Sequence, residues 1–594
     1  MKRFKIVAFI VLSFLMFAPV SMQGQGHMTA SYNFPSEEKI EHQVDSVFRK
    51  LSTREKIAQI MIIDMTSRDS KEMRKIQKRL VKKEKVGGLI PLGDVYRPAV
   101  ERMNQLNKWA KIPMLMTIDA EWGVGMRWKE VPSHQFFIQL GALTSDSLVY
   151  EIGRSIADEC RAFKFQVNYS PVVDINNNPD KFIVNFRTFG EDKDKVARYA
   201  SAMMRGMRDG GLAGSAKHFP GHGETNVDSH LALPLLPFSA ERLDSLELYP
   251  FRKLIADGVD MVMVGHLNVP ALDPSGAPSS ISKPIVTGLL REKMGYDGII
   301  ITDALNMYGV ARDSGLEKKD IPLAAYKAGV DILLMPEDVE NAISQIENAL
   351  EAGEITMEGL DMRVKKMLRL KARYGIFDKS YDPIVRDLDI FIDTTAPDVR
   401  MKAKLSLIKK VSEETMTVVF NDNSQGLGLP VSCEGKKVAY VGFMNPQLGQ
   451  QFGEVANRYG QVDTVLLGDD AALEELKAAK EKVSGYDLVI FGFNKSLQSI
   501  KRNFGLEEAH LKFITDWAAD QPMVAVFLGS PYVLKRMPGH ENFKAFLIGY
   551  EATRFNNEAA AKVVFGEIAA KGILPVTTAS FKVGEGVYIP AKQK

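Results

Sequence analysis

Between residues 43 and 385, short runs rich in Val, Ile, Leu and Met recur, each continuous rather than alternating with polar residues, and stretches of helical periodicity separate them. Continuous runs of this kind mark strands buried on both faces of a parallel sheet. Eight are predicted strands: 57–63, 86–92, 113–118, 167–173, 213–218, 261–264, 298–302 and 332–335. Eight strands alternating with helices predict an α/β fold, a (β/α)8 TIM-type barrel. Asp119, Asp174, His218, His266 and Asp303 stand at the C-terminal ends of five runs. In a barrel those ends share one face, where catalysis is placed.

The pattern repeats on a smaller scale over 395–594, with predicted strands at 438–441, 462–467, 488–491, 523–527 and 545–548 and helices at 471–483 and 507–518. A smaller α/β sandwich domain therefore follows the barrel, joined to it through the polar stretch 379–397. Gly426 and Gly428 lie in Gly-Leu-Gly-Leu-Pro, which lacks the strand, glycine turn and helix of a phosphate-binding loop.

Residues 1–24 have a different character. Lys2, Arg3 and Lys5 precede fifteen nearly all apolar residues, 6–20, and a small, polar stretch follows. This reads as a cleaved secretory signal, because a spanning helix needs about 20 apolar residues. No cysteine follows the run, which disfavours a lipid anchor. No integral membrane span is expected after cleavage, and the location expected is periplasmic or secreted.

Composition narrows the function classes. Lys and Arg number 76 against 74 Asp and Glu, a net charge of +2, and losing the signal takes it to about −1. No global field attracts nucleic acid, so a nucleic-acid partner is not expected. The two cysteines, Cys160 and Cys433, cannot form a disulfide framework, although a single bridge between them stays open.

Candidate chemistry gathers in two stretches. Residues 216–231, Ala-Lys-His-Phe-Pro-Gly-His-Gly-Glu-Thr-Asn-Val-Asp-Ser-His-Leu, hold three of the nine histidines, with Asp228 two residues before His230. Pro220, Gly221 and Gly223 break regular structure, so the chain should leave the strand after His218 and carry Asp228 and His230 over the barrel mouth. An aspartate can orient and charge-stabilise an imidazole for acid/base work. One histidine in such a loop reads best as a packing or capping residue; three beside a strand end favour function. A metal site is the competing reading, but no H-E-x-x-H or His-x-His pattern occurs, so no metal is expected. The second stretch, Tyr296-Asp-Gly-Ile-Ile-Ile-Thr-Asp-Ala-Leu-Asn-Met, ends a strand on Asp303, a carboxylate that is either a helix cap or a nucleophile. With a histidine acid/base on the same face, it suggests glycoside cleavage.

These two stretches, with Asp119-Ala-Glu-Trp-Gly and His266-Leu-Asn-Val-Pro-Ala-Leu-Asp, resemble the β-N-acetylglucosaminidase branch of family 3 glycoside hydrolases; the ending Gly572-Ile-Leu-Pro-Val-Thr is similar to that family's C-terminal sandwich. The resemblance implies a retaining mechanism in which Asp303 is the nucleophile and His230, paired with Asp228, protonates the leaving oxygen and later activates water. It implies that Asp119, Arg127, Arg187, Lys217 and His218 bind the sugar. Carboxylates accept from vicinal hydroxyls, and Arg and Lys donate to hydroxyl and amide oxygens. Neither metal nor organic cofactor is required; the expected partner is a carbohydrate.

Departures bear on specificity. Where the branch commonly reads Asp-x-Glu-Gly-Gly-Arg-Val, this chain places Trp122 after the Glu and its arginine at 127. Other branches draw a carboxylic proton donor from the second domain, which makes Glu507, Glu508 and Glu551 conceivable acids. Three functions follow: an exported hydrolase of terminal β-linked N-acetylglucosamine in peptidoglycan fragments or similar glycans; a family 3 β-glucosidase or phosphorylase with the same nucleophile; and a carbohydrate-binding protein that has lost turnover. Oligomeric state is not legible.

Overall fold

The structure is a computed structural model that describes residues 31–66, 70–93, 95–178, 185–223, 233–307, 314–387, 389, 391–392, 397–497 and 506–592. The signal reading of 1–24, the expected proton donor His230 and its partner Asp228 lie outside the described residues.

Eight parallel strands form the first sheet: β1 (Met61–Thr66), β2 (Gly88–Leu92), β3 (Leu115–Ile118), β4 (Val167–Asn168), β5 (Ala213–Phe219), β6 (Met261–Val264), β7 (Ile299–Thr302) and β8 (Leu333–Leu334). Their order, β7-β6-β5-β4-β3-β2-β1-β8, is closed by a bridge between Ile301 and Ile332, so the predicted barrel is present. Inward side chains Ile62, Ile90, Leu115, Val167, Met261, Ile299 and Leu334 share one apolar cluster, which makes the interior a packed core. One predicted strand is corrected. The run 57–63 begins as helix Thr53–Gln59, because Ser52 and Glu55 form a reciprocal capping box, and the strand starts only at Met61.

The second sheet has strands β9 (Thr417–Asn421), β10 (Val438–Phe443), β11 (Val462–Leu467), β12 (Leu488–Leu497), β13 (Met523–Gly529) and β14 (Ala545–Ile548) in the order β11-β10-β12-β13-β14-β9. Alternate residues feed two cores, Ala439, Val441 and Phe443 on one face and Val438 and Tyr440 on the other, which is the expected sandwich. The unpredicted β9 is its antiparallel edge. Helix Val399–Thr415 runs directly into β9 and buries Met401 and Val411 in the barrel's outer core. Cys160 and Cys433 are both free thiols.

Among the described residues, no helix is long and apolar enough to cross a membrane.

Candidate active site

Five of the predicted site residues converge at the C-terminal ends of β3 and β5. Asp119 follows β3 directly and accepts from the Lys217 ammonium at 2.8 Å and from the Arg127 guanidinium at 2.6 Å. Arg127 also donates through Nε to the Asp119 carbonyl at 3.1 Å, which folds the post-β3 loop back on itself. Lys217 is 2% exposed and reaches a second carboxylate, Glu121, at 2.8 Å. Arg187 grips Glu121 through both arms of its fork, at 3.0 and 2.6 Å. The sequence reading passed over Glu121, although it sits in the quoted Asp-Ala-Glu-Trp motif.

Electrostatics follow from this packing. Burial alone would push both acids up, yet Lys217 and Arg127 hold the Asp119 carboxyl far below the usual range. Arg187 and Lys217 likewise outweigh burial at Glu121 and bring it to about 2. Lys217 is raised in turn: burial lowers it, and its two carboxylates more than reverse that. Two carboxylate acceptors and three cationic donors thus share a small, half-buried space. Such groups match the hydroxyls of a sugar ring.

His218 sits on the neighbouring turn. Its ring Nδ1 lies 2.8 Å from Asp174 Oδ2, and its backbone amide donates to Asp174 Oδ1 at 3.2 Å. The same Oδ1 accepts the His222 amide at 2.7 Å, so one buried carboxylate at the end of the β4 segment pins the whole His218–His222 turn. Gly221 turns the chain at φ +125°, where a Cβ would also meet Glu247 at 2.7 Å. Burial, with His218 adjacent, pushes the His222 imidazole down to about 4, which leaves it neutral. Asp174 and His222 were marked in the sequence by position only; their pairing needed the fold.

Asp303 stands at the end of β7. Its Oδ1 accepts the Ala304 amide at 2.8 Å. Burial would raise this carboxyl, but the imidazoles of His218 and His266, the Ala304 amide and Lys217 together leave it lowered. The electrostatic link to His218 and Lys217 ties Asp303 to the sugar-matching cluster. His266, after β6, is locked between Ser280 Oγ at 2.7 Å and the Ala304 carbonyl at 3.1 Å.

The described residues on either side of 224–232 are held by contacts. Gly223 lies so close to Ile175 that a Cβ would stand 1.9 Å from its carbonyl oxygen. Further along, the Leu236 amide donates to the Asn268 carbonyl, and the Asn268 amide to the Pro234 carbonyl. Both ends thus flank the strand ends that bear His218, His266 and Asp303.

Beneath the post-β3 loop lies a buried group. Glu159, on helix Ser147–Ala162, accepts the Val124 amide at 3.1 Å, meets His134 Nε2 at 3.0 Å and faces the Lys404 ammonium at 2.8 Å. Gly123, at φ +86°, passes over it with no room for a side chain, since a Cβ would stand 3.0 Å from Glu159 Oε2. Lys404 comes from helix Val399–Thr415, so the helix that leads into the second domain also supports the loop bearing Asp119, Glu121 and Arg127.

The second-domain acids differ in position. Glu507 and Glu508 are exposed at the start of helix Glu508–Asp520. Glu551 is 6% exposed against the barrel, and its Oε1 accepts the Phe136 amide at 2.6 Å. Phe136 packs with Trp122 and Phe186, ring centroids 4.7–5.9 Å apart, as a half-buried aromatic trio beside Arg187. Trp128, by contrast, is core, and Trp109 lies under Lys78 and Arg102.

Residues 52–370 match the family model described as the glycosyl hydrolase family 3 N terminal domain, and 416–586 match that of the family's C-terminal domain. Beta-hexosaminidase A of Pseudoalteromonas piscicida is 30% identical over 289 residues, 44% of this chain and 48% of that protein, so the chain spans about half of that relative's length. Beta-hexosaminidase LpqI of Mycobacterium tuberculosis is 30% identical over 341 residues, 54% of this chain and 83% of that protein. Among solved structures, a glycoside hydrolase family 3 beta-N-acetylglucosaminidase from Paenibacillus sp. str. FPU-7 superimposes with a TM-score of 0.72 at 28% identity, covering 89% of this chain and 99% of that one.

Proposed function

The chain belongs to glycosyl hydrolase family 3, and from that footing we propose that it is an exported, retaining exo-glycosidase that removes terminal β-linked N-acetylglucosamine from peptidoglycan fragments or related glycans. The observation that carries this reading is Asp303: a half-buried carboxylate kept ionised at a strand end, coupled through Lys217 to a neighbouring cluster of Asp119, Glu121, Arg127 and Arg187. The relatives named as hexosaminidases and acetylglucosaminidase support the choice of sugar.

In the first half-reaction the Asp303 carboxylate attacks the anomeric carbon and forms a glycosyl ester, while His230, steadied by Asp228, gives its proton to the departing oxygen. In the second, His230 takes a proton from water, the water oxygen attacks the same carbon, and the bond to Asp303 breaks. Two inversions leave the configuration retained. The charged cluster holds the ring hydroxyls throughout, and its donors strengthen as the bound sugar excludes water.

Trapping with a 5-fluoro N-acetylglucosaminyl fluoride tests the reading. The expected result is a stable adduct that peptide mapping locates on Asp303, with turnover of a nitrophenyl β-N-acetylglucosaminide lost in parallel. Label on another residue overturns the nucleophile. Preference for the β-glucoside, or acceleration by added phosphate with release of a sugar phosphate, overturns the substrate or the hydrolytic outcome.

A further inference from the structure

Helix Lys71–Arg79 and the turn Leu80–Glu84 that continues it carry an uneven charge. Residues 71–85, Lys-Glu-Met-Arg-Lys-Ile-Gln-Lys-Arg-Leu-Val-Lys-Lys-Glu-Lys, contain eight Lys or Arg against two Glu. The apolar positions Leu80 and Val81 are buried and Ile76 packs against the same core, which turns the lysines outward. One of the two acids, Glu84, does not offset them, because it is buried and bound to Arg54 at 2.7 Å. Arg79 and Lys85 pair with Glu340 and Glu55. Lys75, Lys78, Lys82 and Lys83 are exposed, have no carboxylate partner among the described residues, and line one shallow basin with Lys111, which feels Glu55. On a chain of net charge +2, this is a local field and not an overall one.

The basin lies at the end of the barrel remote from the site. Lys85 leads into the N-terminal end of β2 and Lys111 into that of β3, whereas Asp119 and Asp303 follow the C-terminal ends of their strands. The first described residues lie at the same end. Tyr32 donates its amide to the Asp209 carbonyl at 2.7 Å and packs on Gly211, just before β5.

We propose that this basin docks the protein on an anionic lipid bilayer, the lysine ammonium groups against headgroup phosphates, with the catalytic mouth turned away from the membrane. The charge supports this occupant: unpaired, flexible ammonium groups on one surface act as point charges toward phosphate. Each lysine near an anionic surface strengthens attachment by about fivefold at moderate salt. Only side chains within about 8 Å of the surface contribute, which suits a compact cluster better than a diffuse charge.

Co-sedimentation of the full-length chain with vesicles tests the docking. One variant carries Lys75→Glu, Lys78→Glu, Lys82→Glu and Lys83→Glu. A charge-matched control carries Lys402→Glu, Lys482→Glu, Lys535→Glu and Lys582→Glu, all exposed elsewhere. Because the proteins are otherwise identical, differences report the basin alone. The expected result is a drop in binding to phosphatidylglycerol vesicles of at least ~30-fold in the first variant, little change in the control, loss of the wild-type advantage at 0.5 M salt, and no difference on phosphatidylcholine vesicles. An equal drop in the control overturns the proposal, since net charge would then suffice. Equal binding by wild type and variant, or a variant defect seen only with soluble heparin or polyphosphate, overturns it too.

Discussion

Arg187 shows how much of the site rests on a single side chain. Its fork supplies two parallel hydrogen bonds to Glu121, a carboxylate with no exposed surface, and together with Lys217 it is what keeps that acid ionised. Lysine cannot reproduce a two-pronged contact. Arg187→Lys should therefore lower kcat/KM for a nitrophenyl β-N-acetylglucosaminide by ~100-fold, mostly through KM, with a fall in Tm, because a buried carboxylate loses half its compensation. A normal KM would mean that the pair is structural only. Glu121 itself illustrates what the sequence could not disclose. Asp119, His218 and Asp303 were legible because each ends an apolar run, and Lys217 because the family resemblance covers it. Glu121 reads as one more polar residue in a loop until β5 brings Lys217 across to it, and Arg187 has no visible partner until residues 66 positions apart meet.

At the level of elements, the loop after β3 owes its shape to a carboxylate below it. Glu159 fastens Val124 and His134 and is itself neutralised by Lys404 from the connecting helix. Glu159→Gln keeps the outline but strands a buried ammonium, an imbalance that typically costs ~3–5 kcal/mol. The expected outcome is a lower Tm and a raised KM with kcat less affected. Adding Lys404→Met should recover most of the Tm and little of the KM, a non-additivity that thermal melts and initial rates can measure. Element boundaries show the same division between local and distant causes. The eight barrel strands were readable from apolar runs because every one is buried on both sides. The start of β1 was misread because Ile57 belongs to a helix whose signal is the Ser52–Glu55 cap and not its hydrophobicity. Strand β9 escaped because it follows helix Val399–Thr415 without a break, and its antiparallel pairing with β14 depends on residues over a hundred positions away.

Across the whole molecule, the contact between domains carries a proton-dependent element. Glu551 of the second domain donates no charge to any partner; it accepts the Phe136 amide of the barrel, and burial pushes its carboxyl up to about 8 against that single hydrogen bond. A carboxyl raised from its ordinary 4.5 binds more protons folded than unfolded between those values, so its contribution to stability is full below pH 4.5 and is lost as pH rises through 8. Glu551→Gln retains the acceptor without the titration. Its Tm should match wild type at pH 5 and exceed it by ~2–4 °C at pH 9, as thermal melts across that range would show. Equal pH dependence in the two proteins would remove Glu551 from this role. The connecting helix sets a further condition on the pair of domains. Val399–Thr415 is one rigid rod, anchored in the barrel through Met401, Lys404 and Val411 and continuous with the edge strand of the sandwich. No hinge separates the halves there, so a clamshell opening would have to uproot an ion pair and a row of core side chains. Access to the strand-end cluster is thereby left to the rim of the barrel and not to a parting of the domains.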